Sequence, residues 1–221
     1  MKYFSKDYLE FFKELAANNH KDWFDSNRKR YESVVRDPFK RFVSALIASM
    51  SKLDPALDID PGEAIFRINR DIRFSKDKTP YKLNNSAIIS PRGRKDKNYP
   101  GIYLELGPEK LSFYGGVYMP DPQLRDKIRS FIMKHAEEFD RLINEKEFVK
   151  SFGEIRGERS KKVPKEFSEA IGLQPLIMNK NWYYCCDLPP EQILADDLIE
   201  VILKLNEYAR PVKEFLTRAV S

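Results

Sequence analysis

The chain has 221 residues, 42% of them apolar and 33% charged, a length and composition that suit a folded domain burying roughly 70% of its unfolded surface and exclude a disordered chain. The formal net charge is +5, but residues 67–97 carry ten Lys/Arg against Asp71, Asp77 and Asp96, so that stretch is +7 and the rest of the chain −2; this excludes a generally basic protein and points to one segment with an anionic partner. No apolar run approaches the ~20 residues of a bilayer span, and the opening Met1-Lys2-Tyr3-Phe4-Ser5-Lys6-Asp7 lacks a signal-peptide stretch, so neither a membrane protein nor a secreted one is expected.

The first third reads as helix. Ser5 is placed to cap a helix carrying Tyr8, Phe11, Phe12 and Leu15 at three- and four-residue spacing. Asn18-Asn19 is placed to end it and to cap the next, with Trp23, Phe24, Tyr31, Val34 and Val35. Asp37-Pro38 is a start signal, an acceptor at the cap followed by proline at the first helical position. Behind it Phe39, Phe42, Val43, Leu46, Ile47, Met50 and Leu53 form a long stripe that Asp54-Pro55 stops. Stripes at this spacing predict core-facing helices.

The period then changes. Residues 64–69, 86–89, 101–106 and 110–114 read as strands, the last two joined by a turn at Gly107-Pro108-Glu109. Gly115-Gly116 marks a bulge or a close backbone approach. Short strands without helices between them predict an antiparallel sheet. Helix returns at Asp121-Pro122 with Leu124, Ile128, Phe131 and Ile132, then around Phe139, Leu142 and Ile143, and around Phe148, Val149 and Phe152. Residues 182–187 read as a further strand that holds the only cysteines, Cys185 and Cys186. Neighbouring cysteines rarely reach disulfide geometry, so buried thiols in a reducing cytoplasm are expected. Asp196 is placed to cap a terminal helix that Pro211 should kink or break. The expected class is α+β, one domain over residues 1–221, with a mainly antiparallel sheet packed against N- and C-terminal helices.

Familiar phosphate-loop, dinucleotide and nucleophile-elbow signatures are absent. His20 and His135 stand apart without Cys/His neighbours, so no metal site is expected. One segment differs: Arg67-Ile68-Asn69-Arg70-Asp71-Ile72-Arg73-Phe74-Ser75-Lys76-Asp77-Lys78-Thr79-Pro80-Tyr81-Lys82. If the strand continues past Asn69, Arg67, Asp71 and Arg73 project from one face and Arg70 from the other. Arginine suits planar two-point contact with carboxylate or phosphate. After Phe74 the chain should leave as a loop, hanging a hydroxyl, an ammonium and a carboxylate over the same surface. The candidate site is therefore Arg67, Arg70, Asp71, Arg73, Ser75, Asp77, Lys78, Tyr81 and Lys82, with a small phosphate- or carboxylate-bearing ligand and no cofactor indicated.

The order Arg67-x-x-Arg70-Asp71-x-Arg73-Phe74-x-x-Asp77-Lys78-x-x-Tyr81 resembles the signature of a sparsely distributed family of conserved hypothetical bacterial proteins with fungal relatives, a domain of unknown function. Phe12-Lys13-Glu14-Leu15, Asn18-Asn19, Asp22-Trp23-Phe24, Gly115-Gly116 with Pro120, and Val163-Pro164-Lys165 are similar to its weaker landmarks, although Glu166 stands where the pattern has a glycine. The resemblance implies one compact domain with a shared central site and brings no activity with it.

Three readings of the segment compete. Arg–Asp pairs can hold a loop in place, but five cations (Arg67, Arg70, Arg73, Lys78, Lys82) against two acids leave an excess that full burial would penalise heavily. An enzyme would use Asp71 or Asp77 as acid–base group or metal ligand and the arginines to stabilise developing charge. A nucleic-acid module would use the basic arms Arg92, Arg94, Lys95 and Lys97 beside a sheet face bearing Tyr99, Tyr103, Phe113, Tyr114 and Tyr118. A protein-interaction role leaves no readable trace.

Overall fold

The computed structural model describes residues 1–96 and 98–221. Four strands, β1 (Asn85–Ile89), β2 (Gly101–Leu106), β3 (Leu111–Val117) and β4 (Trp182–Leu188), form one antiparallel sheet in the order β1-β2-β3-β4. The class is α+β, as the change of period predicts. The chain divides into two compact units, each discontinuous in sequence.

The first unit comprises residues 1–94, 103–113 and 187–202. Its helices are α1 (Lys6–Ala17), α2 (Lys21–Ser26), α3 (Arg28–Arg30), α4 (Asp37–Ser51) and the single turn α5 (Pro61–Ala64). The stripe residues Tyr8, Phe11, Phe12, Leu15, Phe39, Phe42, Val43 and Leu46 are all buried, and each large side chain removed from water contributes roughly 1.5–3 kcal/mol. Tyr8 passes through this layer to place its hydroxyl 3.2 Å from Asn85 Oδ1 and 3.1 Å from the Leu106 carbonyl.

Local signals in this unit were only partly right. Ser5 occupies the cap position of α1 but its side chain makes no capping bond. His20, not Asn19, caps α2, its Nδ1 accepting from the Trp23 N–H at 3.4 Å. Asp37-Pro38 does not start a helix: residues 28–51 are helical without interruption, and a π-helical stretch at Tyr31–Arg36 leads into α4. The Asp37 N–H bonds the Glu32 carbonyl five residues back, the widened turn that precedes Pro38, which has no N–H to donate.

Residues 64–69 are likewise not a ladder strand. They meet the returning chain at two isolated antiparallel bridges, Ile65 with Ala87 and Asn69 with Tyr81. The returning arm has more residues between the bridges than the outgoing arm, so it bulges at Leu83-Asn84 and regular pairing fails.

The second unit comprises residues 95–102, 114–186 and 203–221. It contains α6 (Pro122–Lys134), α7 (Ala136–Ile143), α8 (Lys146–Phe152) and most of α9 (Leu198–Val220). Asp121 caps α6 as expected, accepting from the Leu124 N–H at 2.9 Å with Pro122 behind it. Phe139 stacks on Phe215 with centroids 4.8 Å apart, and Phe148 and Phe152 both pack on buried Tyr184. Arg129 is also buried, and every edge of its guanidinium is used: Ile177 O (2.9 Å), Ser160 Oγ (2.9 Å), Asn179 O (3.0 Å) and Asp126 Oδ1 (2.9 Å). Gly115-Gly116 is the close approach its sequence suggests. A Cβ on Gly115 would collide with the Tyr184 ring; one on Gly116, whose φ is +105°, would collide with the Trp182 carbonyl.

α9 runs through Pro211 without a break. Ala209, Val212, Phe215 and Leu216 around it are fully buried, and that packing outweighs the one backbone bond proline removes. The helix starts at Leu198, so Asp197 rather than Asp196 holds the position before it. Cys185 is buried, Cys186 is partly so, and neither is in a disulfide. Among the described residues no helix is long and apolar enough to cross a membrane.

Candidate functional site

The charged motif lies wholly in the first unit and is folded by its own side chains. Past Asn69 the strand does not continue, and this overturns the expected division of Arg67, Asp71 and Arg73 from Arg70 by strand face. The two aspartates are the reason. Asp71 Oδ1 accepts from the Arg73 N–H (3.3 Å) and Asp77 Oδ1 from the Thr79 N–H (2.9 Å), which turns the backbone away from a ladder.

Most of the cations are then committed. Arg73 grips Asp71 with two parallel bonds, Nε to Oδ1 at 2.9 Å and Nη2 to Oδ2 at 2.7 Å. Arg70 closes the base of the loop: its Nη1 reaches Asp77 Oδ2 at 2.5 Å, the Thr79 carbonyl at 3.0 Å and the Thr79 hydroxyl. Lys78 Nζ donates to the Ile72 carbonyl at 2.9 Å. Ser75 contributes its backbone N–H to the same carbonyl at 3.3 Å.

Charge follows this geometry. The Asp71 carboxyl is held down at about 2, first by the Arg73 side chain and then by the Arg73 backbone N–H. Asp77 is also held at about 2, first by the Thr79 N–H and then by Arg70. Both aspartates are carboxylates at neutral pH and act as hydrogen-bond acceptors that shape the loop.

Tyr81 faces the core. Its ring stacks on Phe24 with centroids 4.1 Å apart and planes 17° apart, and its backbone N–H and C=O are both bound by the Asn19 amide, at 3.1 and 3.0 Å. Asn19 thus anchors the hairpin to the helices, a part sequence reasoning missed because its partner lies 62 residues away.

Two motif cations behave differently. Arg67 is exposed and has no hydrogen bond or ion pair among the described residues. Lys82 is half-buried, with Nζ 5.0 Å from the centroid of the Phe66 ring. Phe66 meets Tyr103 edge to face at 5.9 Å, and Tyr103 donates its hydroxyl to Glu105 at 2.5 Å. Desolvation pulls Lys82 below the usual lysine range; Glu105 opposes that pull and Arg67 adds to it. The site the structure assembles is therefore Arg67, Lys82, Phe66, Tyr103 and Glu105, beside a loop pinned by Arg70, Asp71, Arg73, Asp77, Lys78 and Thr79. Phe66, Tyr103, Glu105 and Thr79 were not expected there. Only Thr79 leaves a local trace, the Asp-x-Thr spacing of a side-chain turn.

A depression of ≈ 520 Å³ lies elsewhere, on α4, lined by Asp37, Lys40, Arg41, Ser44 and Ala45. No group of three His, Cys, Asp or Glu among the described residues could hold a metal ion. The second basic segment is partly committed, since Arg94 donates its guanidinium to the Gly62 carbonyl and its N–H to the Glu63 carbonyl at 3.1 Å. Phe113 is fully buried, so the five aromatics read as a stacking face do not share an exposed surface; strand alternation points Phe113 into the core. Lys97 lies outside the described residues.

An α+β fold with an arginine-rich hairpin loop, braced by its own carboxylates and leaving Arg67, Lys76 and Lys82 outside its ion pairs among the described residues, is the class of protein this geometry defines. The chain matches the conserved hypothetical protein family DUF2461 over residues 7–215, and it belongs to that family. None of the curated proteins compared with it matches.

Proposed function

We propose that the protein binds an anionic group, phosphate or carboxylate, between Arg67 and Lys82, in the cytoplasm. The observation that carries this reading is the pair itself: two cations of one motif whose side chains make no hydrogen bond or ion pair among the described residues, with Lys82 half-buried over the Phe66 ring and its charge disfavoured by Arg67 against the opposing pull of Glu105. The other arginines satisfy themselves. An anion seated between the pair would relieve the repulsion and supply the partner that a half-desolvated ammonium lacks. Arginine would give the two-point contact and lysine the point charge. Asp71, Arg73, Asp77, Lys78 and Arg70 hold the adjoining loop, which carries Ser75 and Lys76. Two unlinked thiols, Cys185 and Cys186, support the cytoplasmic placement.

Thermal shift with sulfate and phosphate, at ionic strength matched with chloride, tests it. Wild type should be stabilised, by ~2.7 kcal/mol at a hundredfold excess over Kd. Arg67→Ala and Lys82→Met should lose that response, and Arg70→Ala, although less stable, should keep it. Equal responses in all four proteins would overturn the assignment.

A further inference from the structure

Phe74 is 96% exposed, more than any other large apolar side chain among the described residues. Isolated exposed apolar side chains are ordinary on protein surfaces. This one sits in a loop held by three separate polar clamps: Arg70 on Asp77 and Thr79, Arg73 on Asp71, and Lys78 on the Ile72 carbonyl. Bracing of that kind removes the loop's freedom to fold the ring back onto the protein. The guanidinium of Arg73 lies 5.9 Å from the ring centroid, so one face is already cationic while the other is open. Residues 67–82 carry six Lys/Arg against two Asp. Arg67 is exposed on the same short motif and acts electrostatically on Asp71, the fork partner of Arg73 beneath the ring.

We propose that this loop is a platform for single-stranded nucleic acid, with an unpaired base stacked on the open face of Phe74 and flanking phosphates taken by Arg67 and Lys76, while Arg73, held by Asp71, backs the other face of the ring. The inference rests on the anion reading and names the anion as a backbone phosphate. An aromatic face beside exposed cations is the arrangement by which single strands are held without sequence preference. A protein hot spot would need occluding apolar neighbours around the anchor, and a membrane wedge would need a second apolar residue. The neighbours here are Arg73, Ser75 and Lys76. A duplex offers no exposed base face to the ring.

The experiment uses the full chain with oligo-dT and oligo-U, a duplex of equal length, and inorganic polyphosphate. Single strands should quench the fluorescence of a Phe74→Trp variant beyond any change in wild type, whose own tryptophans, the partly exposed Trp23 and the buried Trp182, set the background. Phe74→Ala should melt with wild type and lose about 5- to 150-fold in affinity for the single strands, the range of one base–aromatic stack. Its affinity for polyphosphate should not change. Oligonucleotide binding by Phe74→Ala equal to wild type, or equal binding of duplex and single strand, overturns the proposal. So does Phe74-dependent retention on phosphatidylserine vesicles without oligonucleotide binding. Polyphosphate that fails to bind wild type, or binds Arg67→Ala equally, instead marks failure of the anion site itself.

Discussion

Replacing Arg70 with alanine separates loop architecture from ligand binding. Its Nη1 joins Asp77, the Thr79 carbonyl and the Thr79 hydroxyl, and its side chain is 27% exposed against 58% for Asp77. An ion pair with so exposed a partner contributes ~0.2–1 kcal/mol, and the bond to a backbone carbonyl ~0.5–1.5 kcal/mol. The loss should therefore be about 1–2 kcal/mol, below the ~3–5 kcal/mol of breaking a fully buried pair. For a chain of this size that is a fall in Tm of roughly 2–8 °C. Arg67→Ala removes no bonded partner and should stay within ~0.5 kcal/mol of wild type. Urea unfolding of both variants beside Thr79→Val and the Arg70/Thr79 double variant would show the coupling, because residues that share a bond are non-additive. Arg70→Ala as stable as wild type, or Arg67→Ala the more damaged of the two, would refute the division into bracing and unpaired cations.

Other parts of the fold give equally definite expectations. Arg129→Ala should cost ~3–5 kcal/mol in urea unfolding, because two carbonyls and a hydroxyl lose a buried charged donor. Gly116→Ala should lose more than ~2 kcal/mol, since backbone at φ +105° and the Trp182 carbonyl both oppose a Cβ, whereas Gly153→Ala, with φ +75° and open space, should lose only ~1 kcal/mol. The depressed Asp71 and Asp77 carboxyls stabilise the loop fully above their unfolded range near 4, and that contribution is lost as pH falls through about 2. Carboxyl titration by NMR should place both near 2, and values near 4 would mean the loop is not braced.

What could be read from the sequence was what nearest neighbours decide. Asp121-Pro122 caps α6 because a cap is completed within three residues of itself. The same dipeptide at Asp37-Pro38 misleads, because the helix before it continues through a π-helical turn that no local signal announces. Asp71 with Arg73 and Asp77 with Thr79 are two-residue contacts, so the tendency to turn is present in the residues; the loop expected after Phe74 is there, whereas the strand expected through Asp71 and Arg73 is not. Arg70 needs partners seven and nine residues on, which only the closed hairpin supplies. Asn19 on Tyr81, Arg129 on Ile177 and Asn179, and Lys82 over Phe66 beside Glu105 join distant parts of the chain. Composition showed that an excess of cations had to remain unneutralised. Only the packing says that the excess includes Arg67 and Lys82.

The central claim is tested most directly at the Lys82 ammonium. In isotopically labelled protein its titration can be followed by NMR and assigned with Lys82→Met, in chloride and in phosphate at matched ionic strength. Partial burial and Arg67 hold its pKa below the usual lysine value in the free protein. An anion bound between the two must favour the charged form, so phosphate should raise that pKa, and Arg67→Ala should raise it in chloride by removing the repulsion. A Lys82 pKa that is the same in chloride and phosphate, in wild type and in Arg67→Ala, would contradict the account.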